Sequence, residues 1–385
     1  MPETRMPVLA IADSQMANNA LEILCEVRNH IAFITLNRPA ALNALSFGMI
    51  TGLREALGEY ACAPEVRAVV IRGAGERAFC AGGDIRALYE SFKSAGSLHH
   101  EFFIEEYRLD YFLHHYPKPY VAILDGITMG GGMGLAQGSN LRIVGDRTRI
   151  AMPEVGIGLF PDVGASYFLS HLPGALGIYL ALTGSQIRAA EVLYAGLADV
   201  YLPSAAIKGV DAAFDTLIWS DDARTDLSRA IQLLAATHLP VTQPTGLPVP
   251  SLKAMRAAID THFSPATVPG ILNSLGGETR AEYSEWAQQT LKLMSGRSPT
   301  MLRVTLRQLQ LGRHMSLADC FRMELGMTRQ CFIQGDFLEG VRALIIDKDN
   351  APHWSPARLE DVTDAAVSAF FESPWVGAAH PLRDL

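Results

Sequence analysis

Short β-branched runs that stop at glycine and give way to helical spacing recur along the first half of this chain. That alternation narrows the possible folds more than any other feature. Residues 21–27 and 31–36 read as two short strands around Arg28-Asn29-His30, and Asn37-Arg38-Pro39 stops the second because proline cannot donate to a ladder. A helix is predicted over 41–60, where Leu45, Ile50, Leu53 and Leu57 fall near helical spacing. The unit then recurs. A strand over 66–72 ends in Gly73-Ala74-Gly75, helical patterns cover 85–93 and 98–116, and a strand over 120–124 leads to Met129-Gly130-Gly131-Gly132-Met133-Gly134. Two further strands are predicted over 141–144 and 149–152. The fold class implied is α/β with parallel pairing.

With 385 residues, of which 49% are hydrophobic, the chain can bury a large core, and one large domain with a smaller companion is the expectation. Residues 1–19 read as a loose leader, 20–220 as the α/β core and 221–385 as a mainly helical region. Four prolines within 238–251 predict an extended, stiff connector. The net charge of −8 argues against a nucleic-acid partner, because a phosphate backbone recruits Lys and Arg. Cys25, Cys62, Cys80, Cys320 and Cys331 form no CxxC pair and have no metal-like spacing, so reduced thiols and no metal are expected. The N-terminus lacks the apolar core of a signal peptide, and no run reaches the roughly 18 apolar residues of a membrane span. A cytoplasmic protein without a membrane partner is the expectation.

Three segments are candidates for chemistry. In Phe79-Cys80-Ala81-Gly82-Gly83-Asp84-Ile85, glycines at a strand-to-helix passage let backbone N–H groups approach a ligand. Taken alone, the segment reads first as a tight turn with Asp84 capping the helix. The glycine cluster 130–134 invites a dinucleotide reading, but Gly145-Asp146 lies only a dozen residues on, the start of the chain holds no such fingerprint, and no P-loop Gly-Lys-Ser/Thr exists. A close approach of the helix to a neighbour or a ligand remains. The third segment, Met152-Pro153-Glu154-Val155-Gly156-Ile157-Gly158-Leu159-Phe160-Pro161-Asp162-Val163-Gly164, sets two carboxylates in an apolar frame. Desolvation turns such groups into acids and bases near neutral pH; two surface loop carboxylates are the plain alternative. There is no GxSxG elbow, and the pairs His99-His100 and His114-His115 lack zinc spacing and read as solvated helix positions. Cys80 reads as a small buried residue.

In this order the motifs resemble the crotonase (enoyl-CoA hydratase/isomerase) superfamily. They are Ile34-Thr35-Leu36-Asn37-Arg38-Pro39 with Leu42-Asn43-Ala44-Leu45, then 79–85, then Gly130-Gly131-Gly132, then Met152-Pro153-Glu154. The resemblance implies a spiral of ββα units with a mainly α-helical C-terminal part. It also implies an oxyanion hole made by the N–H groups of Gly83 and Gly131, each donor being worth about 3 kcal/mol in comparable sites.

Hydratases of that superfamily carry a glutamate two residues after the triple glycine, where this chain has Gly134. A second carboxylate stands instead at Asp162. With Glu105-Glu106-Tyr107 and the late Glu339-Gly340-Val341-Arg342-Ala343-Leu344-Ile345-Ile346-Asp347-Lys348-Asp349, it resembles the branch that hydrolyses 3-hydroxyisobutyryl-CoA. That resemblance implies Glu154 and Asp162 as the catalytic pair and Glu106, Gly131, Glu154 and Asp162 as substrate contacts. From sequence alone Glu106 is as easily a solvated helix charge. CoA would be part of an acyl-CoA substrate, with no bound cofactor, and a homo-oligomer is allowed. An enoyl-CoA isomerase, which needs one glutamate, and a non-catalytic acyl-CoA or RNA-binding member are the rival readings.

Overall fold

The computed structural model describes residues 21–238, 246–375 and 379–385. The expected leader at 1–19 lies outside the described residues, as do 239–245 of the proline-rich connector.

A six-stranded sheet carries the first half of the chain. Strands β1 (Ile23–Arg28) and β2 (Ile31–Leu36) form an antiparallel hairpin whose turn residues Asn29 and His30 have φ of 42° and 63°. Positive φ at both central positions matches the right-handed strand twist. Strand β3 (Ala68–Gly73) pairs parallel with β2; β4 (Ala78–Cys80) follows it in sequence but lies in a second sheet. The larger sheet continues in parallel through β5 (Tyr120–Leu124), passes over β6 (Ile127–Met129), takes in β7 (Leu141–Val144), and ends with the strand Val200–Tyr201. The smaller sheet pairs β4 with β6 in parallel and takes in β8 (Arg149–Ala151). The expected α/β class with parallel strands and a helical C-terminal part is the one found. The sequence pattern passes over β4 and β6, because three-residue strands beside glycine turns carry no measurable alternation.

Alternate residues of the large sheet, Ile31, Phe33, Ala68, Val70, Val121, Ile123 and Ile143, build one core face. Leu202, Ala206, Val210, Phe214, Leu227 and Ile231 cover it from the chain that follows. Ala32, Ile34, Val69, Ile71, Ala122 and Leu124 are buried too, as expected of parallel strands shielded on both faces. Helix α1 (Phe47–Cys62) begins where Ser46 accepts the N–H of Met49 at 3.0 Å. Asn43 is fully buried; its amide donates to the carbonyls of Ala74 and Ala78 and accepts the N–H of Arg38. One side chain thus ties together three segments of the motif region.

The packing divides the chain differently from a single boundary near residue 220. One unit gathers the described residues up to Gly83, Phe112–Ile150 and Arg188–Val249; the other gathers Asp84–Tyr111, Ala151–Ile187 and Pro250–Leu385. The physical reason is visible in the helix Ala223–His238, whose Leu227 and Ile231 are buried in the sheet core although the helix follows residue 220. The second unit is helical, with α2 (Ile85–Lys93), most of α3 (Leu98–His114), the helix Pro299–Gly312 and the helix Leu317–Gln334 as its main pieces.

Candidate active site

Within the sheet unit, the glycine turns place backbone donors. Gly82 has φ of +104°, and a Cβ there would stand 3.3 Å from the Met129 carbonyl and 3.6 Å from the Gly131 nitrogen. The turn at 82–83 and the start of helix α4 (Gly131–Gln137) therefore lie against each other. A Cβ on Gly132 would come within 2.3 Å of the Cys80 carbonyl, so only glycine permits this approach. The triple glycine thus packs a helix onto the end of β4. Neither the Gly83 nor the Gly131 N–H has an acceptor among the described residues; Gly131 opens its helix, where such donors are orphaned. Gly134 is buried in the same short helix.

Within the helical unit, acids collect. Asp84 caps α2, its carboxylate accepting the Ala87 N–H at 3.3 Å, so the capping reading of that residue holds. Glu154 starts a 3₁₀ turn at Glu154–Gly156, and both it and Asp162 are only 5% exposed. They are not surface loop carboxylates. Glu106 and Asp110, one turn apart on α3, are 2% and 1% exposed, which removes the reading of Glu106 as a solvated charge. Burial, then Asp162 and Glu154, push the Glu106 carboxyl well above the usual range. Burial, then Asp162, do the same to Glu154. Asp162 rises by burial only to about 6, because the Tyr107 hydroxyl and a backbone N–H hold it down. Tyr107 donates to Asp162 Oδ2 at 2.7 Å.

The loop that presents Asp162 is held against its own preference. Val163, β-branched and buried, has φ of 53°. Such a residue avoids left-handed backbone, and it keeps that shape only when its neighbours over-determine it. Glu324 does this by accepting the N–H groups of Gly164 and Ser166 at 2.8 and 2.9 Å. Gln308 donates to the Pro161 carbonyl at 2.5 Å and to Ser166 Oγ at 2.8 Å. Burial lifts Glu324 to about 8 in spite of those donors.

Glu106, Glu154 and Asp162, chosen from the sequence, are therefore brought together. Tyr107, Asp110, Glu324 and Gln308 were not chosen. A readable signal existed for two of them: Glu106 and Asp110 interrupt an otherwise apolar face of α3, as Glu324 does between Phe321 and Leu325. The histidine pairs need correction. His99 is buried, with Nδ1 at 3.2 Å from Ser91 Oγ, and burial pulls His114 down to about 4. Each sits on the inner side of its helix turn while His100 and His115 face outward. Cys80 is fully buried, as expected. Among the described residues no three His, Cys, Asp or Glu side chains are grouped to hold a metal ion, and no helix is long and apolar enough to cross a membrane.

Buried acids within the helical unit can serve as general acids, bases or nucleophiles, and the free N–H groups of the sheet unit can donate to an oxyanion. The model of the enoyl-CoA hydratase/isomerase family matches residues 31–371. The chain belongs to that family. It is 41% identical over 345 residues to a protein of Xenopus tropicalis described as 3-hydroxyisobutyryl-CoA hydrolase, mitochondrial, covering 88% of this chain and 86% of that one. Among solved structures, a carnitinyl-CoA dehydratase from Mycobacterium thermoresistibile matches with a TM-score of 0.81 and 38% identity, over 91% of this chain and 96% of its own. An enoyl-CoA hydratase from Rhodobacter sphaeroides 2.4.1 matches with a TM-score of 0.79 and 34% identity, over 92% and 98%. The Xenopus relative is a mitochondrial protein, so the cytoplasmic expectation gains no support from it.

Proposed function

We propose that this chain hydrolyses the thioester of 3-hydroxyisobutyryl-CoA to 3-hydroxyisobutyrate and CoA, a step of valine degradation. The observation that carries the reading is the buried pair Glu154 and Asp162 in a family whose hydratases keep a carboxylate at the position of Gly134. The relative from Xenopus, of similar length and 41% identity, supports the same substrate.

In this reading the N–H groups of Gly83 and Gly131 polarise the thioester carbonyl and receive its developing negative charge. Ionised Glu154 then attacks the carbonyl carbon, the C–S bond breaks, and CoA leaves as a thiolate that takes up a proton. The mixed anhydride that remains is opened by water. In the alternative route Glu154 takes the proton of a water that attacks directly. A carboxyl held high by burial is the stronger proton acceptor once ionised, which suits either role. Asp162 accepts the substrate's 3-hydroxyl. CoA arrives within the substrate, so the reaction uses no further cofactor, metal or nucleic acid.

The solved relatives described as a dehydratase and a hydratase keep a hydration reading in play. Incubation with 3-hydroxyisobutyryl-CoA and a thiol reagent separates the two. Release of free CoA with much weaker hydration of crotonyl-CoA is expected; efficient hydration of crotonyl-CoA without thiol release overturns the assignment.

A further inference from the structure

Among the described residues, the side chains that feel the charge of the Asp162 carboxylate carry no positive charge themselves. From α3 come Glu106, Tyr107 and Asp110; from the 3₁₀ turn, Glu154; from the helix Leu317–Gln334, Glu324 and Cys331. An anion among buried acids needs a hydrogen-bond donor in place of a cation. Among the described residues the one side chain that donates to it is Tyr107, at 2.7 Å from Oδ2. Tyr107 itself is fully buried, its ring fixed between Phe103 and Phe321 with centroids 5.9 and 5.6 Å away. A rigid ring with one polar tip gives the hydroxyl a single place to point.

We infer that Tyr107 is a positioning residue for the reaction: its hydroxyl holds the Asp162 carboxylate in one orientation and supplies the hydrogen bond that lets it be an anion inside the protein. The clamp of Glu324 and Gln308 fixes the backbone around Asp162, and Tyr107 fixes the carboxylate at the tip. Glu106, Asp110 and Glu154 have no such hydroxyl: Glu106 Oε1, Glu154 Oε2 and both Asp110 oxygens are buried with no partner among the described residues. Asp162 is thereby singled out as the one of the four whose anion a side-chain hydroxyl holds. With Tyr107 in place, burial raises Asp162 only to about 6.

The inference rests on the hydrolase reading for its catalytic consequence, so it is tested by one readout that needs activity and one that does not. Tyr107→Phe keeps the ring and removes the hydroxyl. The acid limb of kcat/KM for 3-hydroxyisobutyryl-CoA is expected to move up by about one to two pH units, the range of a buried hydrogen bond to a charged group. Most of the activity should return at high pH. Adding Tyr107→Phe to Asp162→Asn should leave the limb where Asp162→Asn puts it. An unmoved limb in the single variant, or a further shift in the double one, overturns the inference.

Without any substrate, melting temperatures read the same bond. Asp162 has a folded value above its unfolded one, so its contribution is full below about pH 4. It is lost as pH rises through the folded value. A still higher value in Tyr107→Phe prolongs that loss, so the gap between wild type and variant should widen from pH 5 to pH 8. A constant gap overturns the inference even if the protein proves to hydrolyse nothing. Should Tyr107→Phe fail to fold, wild type against Asp162→Asn reads Asp162 directly. A stability gap that is flat above neutral pH is expected, and one still changing at pH 8 overturns the inference.

Discussion

The glycine turns of the sheet unit and the acids of the helical unit are built on opposite principles. Gly82 and Gly132 contribute nothing but backbone, and the close approach of Met129 and Cys80 to them depends on the absence of a side chain. Glu106, Asp110, Glu154 and Asp162 contribute only side chains, taken out of water at a cost that no cation among the described residues offsets. A site of the first kind is exact in position and silent in pH. A site of the second kind is tunable by pH and strains the fold that holds it. Substitutions in the two regions should therefore fail in different ways.

The largest expected effect lies among the acids. Glu154→Gln keeps shape and removes the ionisable group. Turnover of 3-hydroxyisobutyryl-CoA should fall by about two or more orders of magnitude, the range of acid–base contributions, while the melting temperature holds or rises. Steady-state CoA release on a variant with native circular dichroism is the measurement. Near-normal turnover would move the chemistry away from Glu154 and erase the contrast between the regions.

Gly132→Ala probes the other principle. Its Cβ would meet the Cys80 carbonyl at 2.3 Å, so helix α4 must lift from β4 and carry the Gly131 N–H with it. Loss of one such donor costs about 10²-fold in kcat, here with an unchanged pH profile, since no titrating group is touched. A normal kcat would show that the helix tolerates the shift. An altered pH profile would show that the two regions are less independent than their chemistry suggests.

How much of this was legible in the sequence follows the same division. Glycine positions read well, because a close approach or a left-handed turn demands that one residue: the turns at 82–83 and 130–132 stand where the motifs put them. Strands β5 and β7 and helix α2 fall within their predicted bounds for a similar reason, since local patterning decides them. Glu154 and Asp162 were visible as carboxylates in apolar surroundings. What holds Asp162 was not. Gln308 and Glu324 lie 147 and 160 residues from the carbonyl and N–H they bind, and no spacing rule spans that distance. The interleaving of the two units was hidden likewise, because helical periodicity in 223–238 shows an apolar face without naming the surface that covers it.

The smallest effect concerns Asp110, and it isolates the cost of burying acids from their use. Both its oxygens are buried without a partner among the described residues, and burial together with Glu106, Asp162 and Glu324 drives its carboxyl well above the usual value. A folded value above the unfolded one means that the native state binds the extra proton. Its stabilising contribution is complete below about pH 4 and drains away as pH rises toward the folded value. Asp110→Asn keeps the volume and cannot titrate, so it should match wild type near pH 4 and become progressively more stable than wild type toward pH 8. Each kcal/mol gained raises the melting temperature by about 2–4 °C, well within reach of a thermal scan at several pH values. Turnover supplies the second axis. If kcat is unchanged while stability at pH 8 rises, Asp110 is a bystander whose charge the fold suppresses. If kcat falls as stability rises, Asp110 belongs with Glu154 and Asp162 as a group whose burial serves the chemistry. A stability gap that does not depend on pH would mean that Asp110 keeps an ordinary value, and the picture of acids competing for one charge would have to be redrawn around the other three.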